Sequence, residues 1–164
     1  MRSLGSGTFA PMSSWELFKA EEPELARVVQ GLFDARRHKT VATLRADGSP
    51  RISGVECSFG DGRLTFGVMG GSRKLADLHR DPRFALHSAT VDPVEGDEGS
   101  WPGEAKVAGR AISVGAIEDE GVPSGEMFVG DVTEVVFVHL DDDAKKLIVE
   151  WWTPDGGRRK AERI

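Results

Sequence analysis

A mainly β protein, a small closed or nearly closed barrel with flanking helices, is the fold class this sequence predicts, and three observations carry the prediction. Short runs rich in β-branched and aromatic residues recur from Thr40 to Trp152, with turn residues between them. Inside those runs apolar and polar residues alternate, as Leu64, Phe66 and Val68 do against Arg63, Thr65 and Gly67. A helical period shows itself only before Lys39 and just after Gly71. Closure into a barrel is the simplest package for so many short strands, because it leaves no unpaired sheet edge.

The elements follow in order. The Gly- and Ser-rich residues 1–13 read as a disordered tail, with Met12 a candidate start, and a single domain is expected over 14–164. Ser14 is a good N-cap, and Leu25, Val28, Val29, Leu32 and Phe33 recur at helical spacing, with Pro23 opening the main helical segment. VATLRADGSPRISGVECSFGDGRLTFGVM then holds three extended runs joined by Asp47-Gly48-Ser49-Pro50 and Gly60-Asp61-Gly62, an antiparallel meander. A short helix with Leu75 and Leu78 inward comes next, before FALHSATV resumes extended structure. Residues 92–104 are acidic, rich in Gly and Pro, and read as an exposed loop carrying Trp101. EAKVAGRAISVGA, VTEVVFVHL and LIVEWW add three strands, so about seven strands and two flanking helices are expected.

Composition excludes several function classes. A chain of 164 residues buries a core without disulfides or metal. Its net charge of -6 opposes the positive field that general nucleic-acid binding needs. No apolar run approaches the roughly 20 residues that span a bilayer, and the first residues lack the apolar stretch of a secretory signal, so a cytoplasmic protein is expected. The lone Cys57 reads as a small buried apolar residue rather than a nucleophile. His38, His79, His87 and His139 show no triad spacing, although His87 stands where it could face a ligand. Asp141, Asp142 and Asp143 lack the Gly and distal Glu of a calcium loop and read as a solvated turn.

GGSRKLADLHRDPRF, residues 70–84, carries the strongest chemistry. A helix N-terminus presents unpaired N–H groups and a partial positive charge. Here two glycines allow close backbone approach, Ser72 caps or donates, and Arg73 and Lys74 add mobile cations. An anion cradle and a capped surface helix are both open readings of this stretch.

SRKLADLHRDPRFAL, the preceding TVATLRADGSPRISGVECSFGDGRLTFGV and the later KVAGRAISV together resemble the pyridoxamine 5′-phosphate oxidase-like superfamily of flavin-binding split β-barrels. Order and spacing match over about residues 36 to 115. The resemblance implies a homodimer with FMN, or the deazaflavin coenzyme F-420, in a cleft between subunits. It implies that Ser72, Arg73 and Lys74 hold the phosphate, and that backbone groups of the stretches Val55 to Phe59 and Phe66 to Met69, Val55, Phe66, Val68 and Met69 among them, flank the ring. Ser53 and Ser58 stand where true pyridoxamine phosphate oxidases carry an arginine and a lysine; Arg45 and Arg51 are the candidates to compensate. The adjacent Trp151 and Trp152 point to opposite sheet faces, one to the core and one, taken as Trp151, to the interface or the flavin edge. The C-terminal VEWWTPDGGRRKAERI lacks the Arg-x-His substrate motif, so vitamin salvage is not expected. Arg158, Arg159 and Lys160 read as a basic surface tail, with reach into a partner subunit as the sharper alternative.

The function expected from the resemblance is hydride or electron transfer from a bound flavin or deazaflavin to a small molecule that the sequence does not identify. The alternatives are a non-catalytic carrier of flavin, deazaflavin or haem, and a structural domain with a vestigial pocket.

Overall fold

The computed structural model describes residues 12–164, and the expected tail lies outside these except at its end. Helix α1 spans Ser14–Glu21 and is capped by Ser13, not Ser14. The Ser13 hydroxyl accepts from the Glu16 amide at 3.2 Å, and the Glu16 carboxylate accepts from the Ser13 amide at 3.1 Å, a reciprocal capping box. Ser13 also donates to the Gly62 carbonyl at 2.5 Å, so it belongs to the folded unit although the expected tail included it. Ser14 has another task, accepting from the Val132 amide at 2.7 Å. Glu22 interrupts the helix, and Pro23, which needs no amide partner at a first helical position, starts α2 (Pro23–Asp34). Leu25, Ala26, Val29 and Phe33 are its buried face, while Val28 is only half-buried.

Nine strands follow among the described residues: β1 (Lys39–Leu44), β2 (Pro50–Val55), β3 (Cys57–Ser58), β4 (Thr65–Met69), β5 (Arg83–His87), β6 (Glu104–Ile117), β7 (Gly125–Leu140), β8 (Leu147–Thr153) and β9 (Gly157–Arg163). Helix α3 (Arg73–Arg80) lies between β4 and β5. All pairings are antiparallel, in the order β2-β1-β5-β6-β7-β4-β3. The two ends of that path, β2 and β3, are separated in sequence by Glu56 alone, so the sheet must curl until its first and last strands meet. β7 is long enough to serve two partners besides β6. Its first residues, Gly125–Val129, pair with β4, and Val135–Leu140 pair with β8.

Two strands go beyond the seven expected. β3 is only two residues long, too short for a periodicity to register. β9 contains the basic residues read as a tail; it is a full partner of β8 from Thr153↔Gly157 to Leu147↔Arg163. Arg158 is committed within its own chain, to Glu150 at 2.8 Å and Glu22 at 3.1 Å. Arg158, Arg159 and Lys160 are exposed in succession, with only Gly157 and Ala161 half-buried, so β9 shows no alternation that would announce a strand.

An aromatic chain fastens the helices to the barrel. Trp152, Phe18, Trp15, Phe59 and Phe33 contact in sequence, with ring centroids 4.3 to 5.5 Å apart, in the tilted geometry that aromatic pairs favour. Trp152 is fully buried and its indole N–H donates to Glu21 at 2.8 Å. The acidic segment contains a 3₁₀ turn at Glu98–Ser100. Trp101 is half-buried beside it and donates its indole N–H to the Val91 carbonyl at 2.8 Å. Asp141 accepts from the Lys145 and Lys146 amides at 2.7 and 3.0 Å, closing the turn before β8.

Candidate functional site

The strand-to-helix turn after β4 depends on Gly71, whose φ of 71° lies in the left-handed region that side chains disfavour. Gly70 before it donates its amide to the Ser124 carbonyl at 2.8 Å, which ties the turn to the β6–β7 connection. Ser72 then caps α3, its hydroxyl accepting from the Leu75 amide at 3.3 Å. Its hydroxyl hydrogen and second lone pair remain available for other partners.

Arg73 and Lys74 diverge, because successive helical residues point about 100° apart. Lys74 donates its ammonium to the Gly54 carbonyl on β2, and partial burial lowers its pKa from the ordinary lysine value. It lines a hollow of about 710 Å³ between β2, β3, β4 and the β6–β7 connection. Val55, Ser58, Phe66, Val68 and Met69 line the same hollow, so six residues expected at a cofactor converge on one cavity. Arg73 instead faces a separate hollow with Arg45, Arg51, Asp77 and Arg80.

Arg51 is not a spare cation for the ring hollow. It donates to Asp77 Oδ2 at 2.7 Å, beside Thr43 at 2.8 Å. Arg45 reaches the Pro50 carbonyl at 2.9 Å and the Ser49 hydroxyl at 3.4 Å. Ser53 sits half-buried opposite Val41 in the β1–β2 register, and Trp151 is half-buried on β8 between Val136 and Arg159. Neither residue lines the ring hollow or the arginine hollow. Phe59, at the end of the expected ring-contact stretch, turns into the aromatic chain.

Beyond the expected stretches the hollow also contains Thr65, Ile117, Pro123 and Met127. Cys57 and Gly67, which line it too, fall inside those stretches. Pro123 and Met127 were missed because β7 was expected to begin near Val132, whereas it begins at Gly125. Gly130 and Asp131 break the apolar run there. Gly130 is tightly enclosed, since a Cβ on it would stand 2.9 Å from Leu64 Cδ2 and 3.0 Å from Phe84 Cζ. Burial pushes the Cys57 thiol up to about 11, against the pull of nearby Lys39; it is a neutral wall at pH 7.

A third hollow, about 900 Å³, lies on the other face of β1, β2 and β5 and includes Ile52, His87 and Lys106. His87 donates its Nδ1–H to the Ser88 carbonyl at 2.6 Å. Arg37 and His38 stand on the ridge shared by this hollow and the ring hollow.

The curled antiparallel sheet, the branching of β7 and the helix seated between β4 and β5 define a split β-barrel. The chain has the fold of the pyridoxamine 5′-phosphate oxidase-like FMN-binding split barrels, as its solved structural neighbours show. A pyridoxamine 5′-phosphate oxidase-related FMN-binding protein from Nostoc punctiforme superposes with a TM-score of 0.60 at 11% identity, covering 96% of this chain and 98% of that one. PhzG from Burkholderia lata, solved with tetrahydrophenazine-1-carboxylic acid, gives 0.58 at 14% identity, covering 99% and 97%. A protein related to general stress protein 26 from Clostridium acetobutylicum gives 0.54 at 12% identity, covering 85% and 96%. No protein-family model matches the chain, and no curated protein matches it in sequence. At these identities the likeness establishes the fold. Among the described residues no helix is long and apolar enough to cross a membrane.

Proposed function

We propose that the hollow between β2, β3 and β4 binds FMN, or the related deazaflavin coenzyme F-420, and that the protein is an oxidoreductase. The observation that carries this reading is the convergence of Val55, Ser58, Phe66, Val68, Met69 and Lys74 on one cavity. Its volume of about 710 Å³ falls within the range of small-molecule sites. The lining fits such a group: Ile117, Met127 and Met69 as apolar side chains for a flat ring, strand backbone at Gly54 and Gly67, and Lys74, with Arg37 held by Glu56 at the rim, for an anionic end. A bound flavin supplies hydride or electron transfer. The chain's own part is to orient and shelter it. Val55, Phe66 and Val68 turn their side chains into the core and offer the hollow their strand backbone, Ile117 and Met127 stand beside Gly67 as its apolar wall, Lys74 offers a donor at the start of α3, and Cys57 is neutral.

The mouth of the hollow is bordered by apolar side chains that face outward. Met69 is 61% exposed and Val122 52%, and Ile112 and Val114 continue the strip along β6. A second copy of this chain is proposed to cover them, which completes the cleft and buries surface that water would otherwise penalise. Analytical ultracentrifugation tests this: the dimer reading predicts a dimer that Val114→Glu converts to monomer, and a monomeric wild type ends it.

The cofactor reading is tested by fluorescence titration of cofactor-free protein with FMN and with F-420. Saturable binding to one of them is expected, weakened about tenfold or more by Lys74→Ala, as for loss of a charged hydrogen-bond donor. No binding to either coenzyme overturns the assignment. Rapid reduction of the bound cofactor by a nicotinamide donor supports the enzyme, and tight binding without turnover supports a carrier.

A further inference from the structure

We propose that the β6–β7 connection, residues 118–124, is a strap over the ring hollow, and that the protonation of His79 sets how firmly the strap is held. Strand pairing stops at Ile117 and resumes at Gly125, which are partners in the β6–β7 register. Residues 118–124 between them are exposed throughout. Their backbone closes a turn, with the Val122 amide donating to the Asp119 carbonyl at 3.2 Å and Gly121 bending at a φ of 82°. Val122 and Pro123 nevertheless form part of the wall of the ring hollow, beside Ile117 and Met127.

Helix α3 holds the far end of this strap at two points. Gly70, just before the helix, donates its amide to the Ser124 carbonyl at 2.8 Å. His79, in the last turn of the helix, meets Glu126 Oε2 through Nε2 at 2.5 Å. Both ends of α3 therefore grip the stretch from Ser124 to Glu126. Gly125 between the two grips lies so close to the Val68 carbonyl oxygen that a Cβ there would collide with it. Met127 follows directly, with its terminal methyl over Gly67 in the hollow, so a change in the grip passes straight to the wall.

The chemistry of the second grip depends on pH. Histidine is the side chain whose ordinary charge change falls between about pH 5 and 8. A protonated His79 makes a charge-assisted bond to Glu126, roughly twice as strong as a neutral one; a neutral ring offers only an uncharged Nε2–H. Glu126 stays ionised across that range, because hydrogen bonds from Ser113 of β6 and then from His79 hold its carboxyl below the ordinary value against the opposing effect of burial. Phe128 of β7 is the other ring beside His79, at 6.4 Å between centroids. The neighbouring charges of α3 are engaged elsewhere: Asp77 and Arg80 with each other and the β1–β2 hairpin, Asp81 with Arg83 at 2.7 Å. Acid thus tightens the strap and alkali loosens it. The consequence for a bound flavin rests on the cofactor reading; the catch itself does not.

Hydrogen exchange of the full chain, followed over residues 115–127 at pH 6 and pH 8 and divided by the intrinsic rate at each pH, tests the catch. Wild type is expected to lose about fivefold in protection at the higher pH. His79→Gln, which keeps an uncharged donor, and Glu126→Gln are expected to show the lower protection at both. His38→Gln, at the rim of the same hollow, is expected to keep the wild-type dependence. Equal protection of wild type at the two pH values, or a dependence that survives in His79→Gln, overturns the proposal. Access to the hollow is read by FMN release, which is expected to accelerate about fivefold more between pH 6 and pH 8 in wild type than in His79→Gln. Identical pH profiles of release in the two proteins overturn the gate. Failure of the flavin reading shows instead as an absence of FMN binding to wild type, and the exchange result still decides the catch.

Discussion

Thr43 and Arg51 face each other across the β1–β2 hairpin and donate to the same oxygen of Asp77, at 2.8 and 2.7 Å. Arg80 takes the other oxygen at 2.9 Å and also donates to the Leu44 carbonyl at 2.9 Å. One buried carboxylate thus locks α3 onto the first hairpin, and with it the start of the helix that faces both hollows.

That lock has a pH signature. Burial by itself would raise the Asp77 pKa, but the hydrogen bonds from Arg51, Thr43 and Arg80 outweigh it and hold the carboxyl at about 2. A carboxyl lowered on folding stabilises the protein above its unfolded value near 4 and loses that contribution as pH falls toward 2. The shift corresponds to about 2 kcal/mol. Asp77→Asn is expected to lose this dependence and, by stranding the nearly buried Arg51, to cost about 3 kcal/mol at pH 7. Urea denaturation of both proteins at pH 7, 4 and 3 measures it; parallel pH profiles would place the acid sensitivity elsewhere.

Trp152 joins β8 to α1 through its contact with Phe18 and its hydrogen bond to Glu21. Trp152→Phe keeps the ring packing but removes the donor and part of the indole, with an expected loss of about 2 kcal/mol. Trp152→Ala opens a cavity and is expected to cost about 4 kcal/mol. Thermal unfolding distinguishes them: similar losses for the two variants would mean that the aromatic chain contributes little.

Gly109 sits at a register shift between β6 and β7, where a Cβ would collide with the Asp131 carbonyl oxygen. The obstacle is backbone, which cannot swing aside as a side chain would. Gly109→Ala is expected to lower stability by about 3 kcal/mol, whereas Gly48→Asn, in the open β1–β2 turn, is expected to cost under about 1 kcal/mol. Equal losses would show that the bulge relaxes freely.

Cys57 reports on the ring hollow directly. With its thiol pushed up to about 11 by burial, the reactive thiolate is scarce at neutral pH. Alkylation by iodoacetamide is expected to be slow at pH 7 and to rise about tenfold for each pH unit up to 10. FMN, if it fills the hollow as proposed, is expected to slow the reaction further. Fast modification at pH 7, or no protection by a saturating cofactor, would count against the burial or the placement respectively.

Much of the architecture is legible from local pattern. Leu64, Phe66 and Val68 alternate because one face of β4 is buried and the other is not. Gly71 and Ser72 mark the start of α3 because only particular residues suit a left-handed turn and an N-cap. The elements that escaped are those whose signals are short or masked by charge. β3 has two residues, and β9 carries five charged residues among its seven because it pairs through backbone rather than through an apolar face.

By itself, the sequence determined the β class, the anion-friendly turn at 70–74 and the apolar strand residues Val55, Phe66 and Val68, since period, turn chemistry and burial are properties of neighbours along the chain. Tertiary structure decided which of the cations share a cavity. Adjacent on the chain, Arg73 and Lys74 serve different hollows because one helical residue is about 100° of rotation. Arg51 joins Arg73 and Arg80 rather than Ser53's surroundings because Asp77, 26 residues away, sits on the helix packed over its strand. Those partners are chosen by how the sheet curls and where α3 lands on it, and no local spacing encodes that.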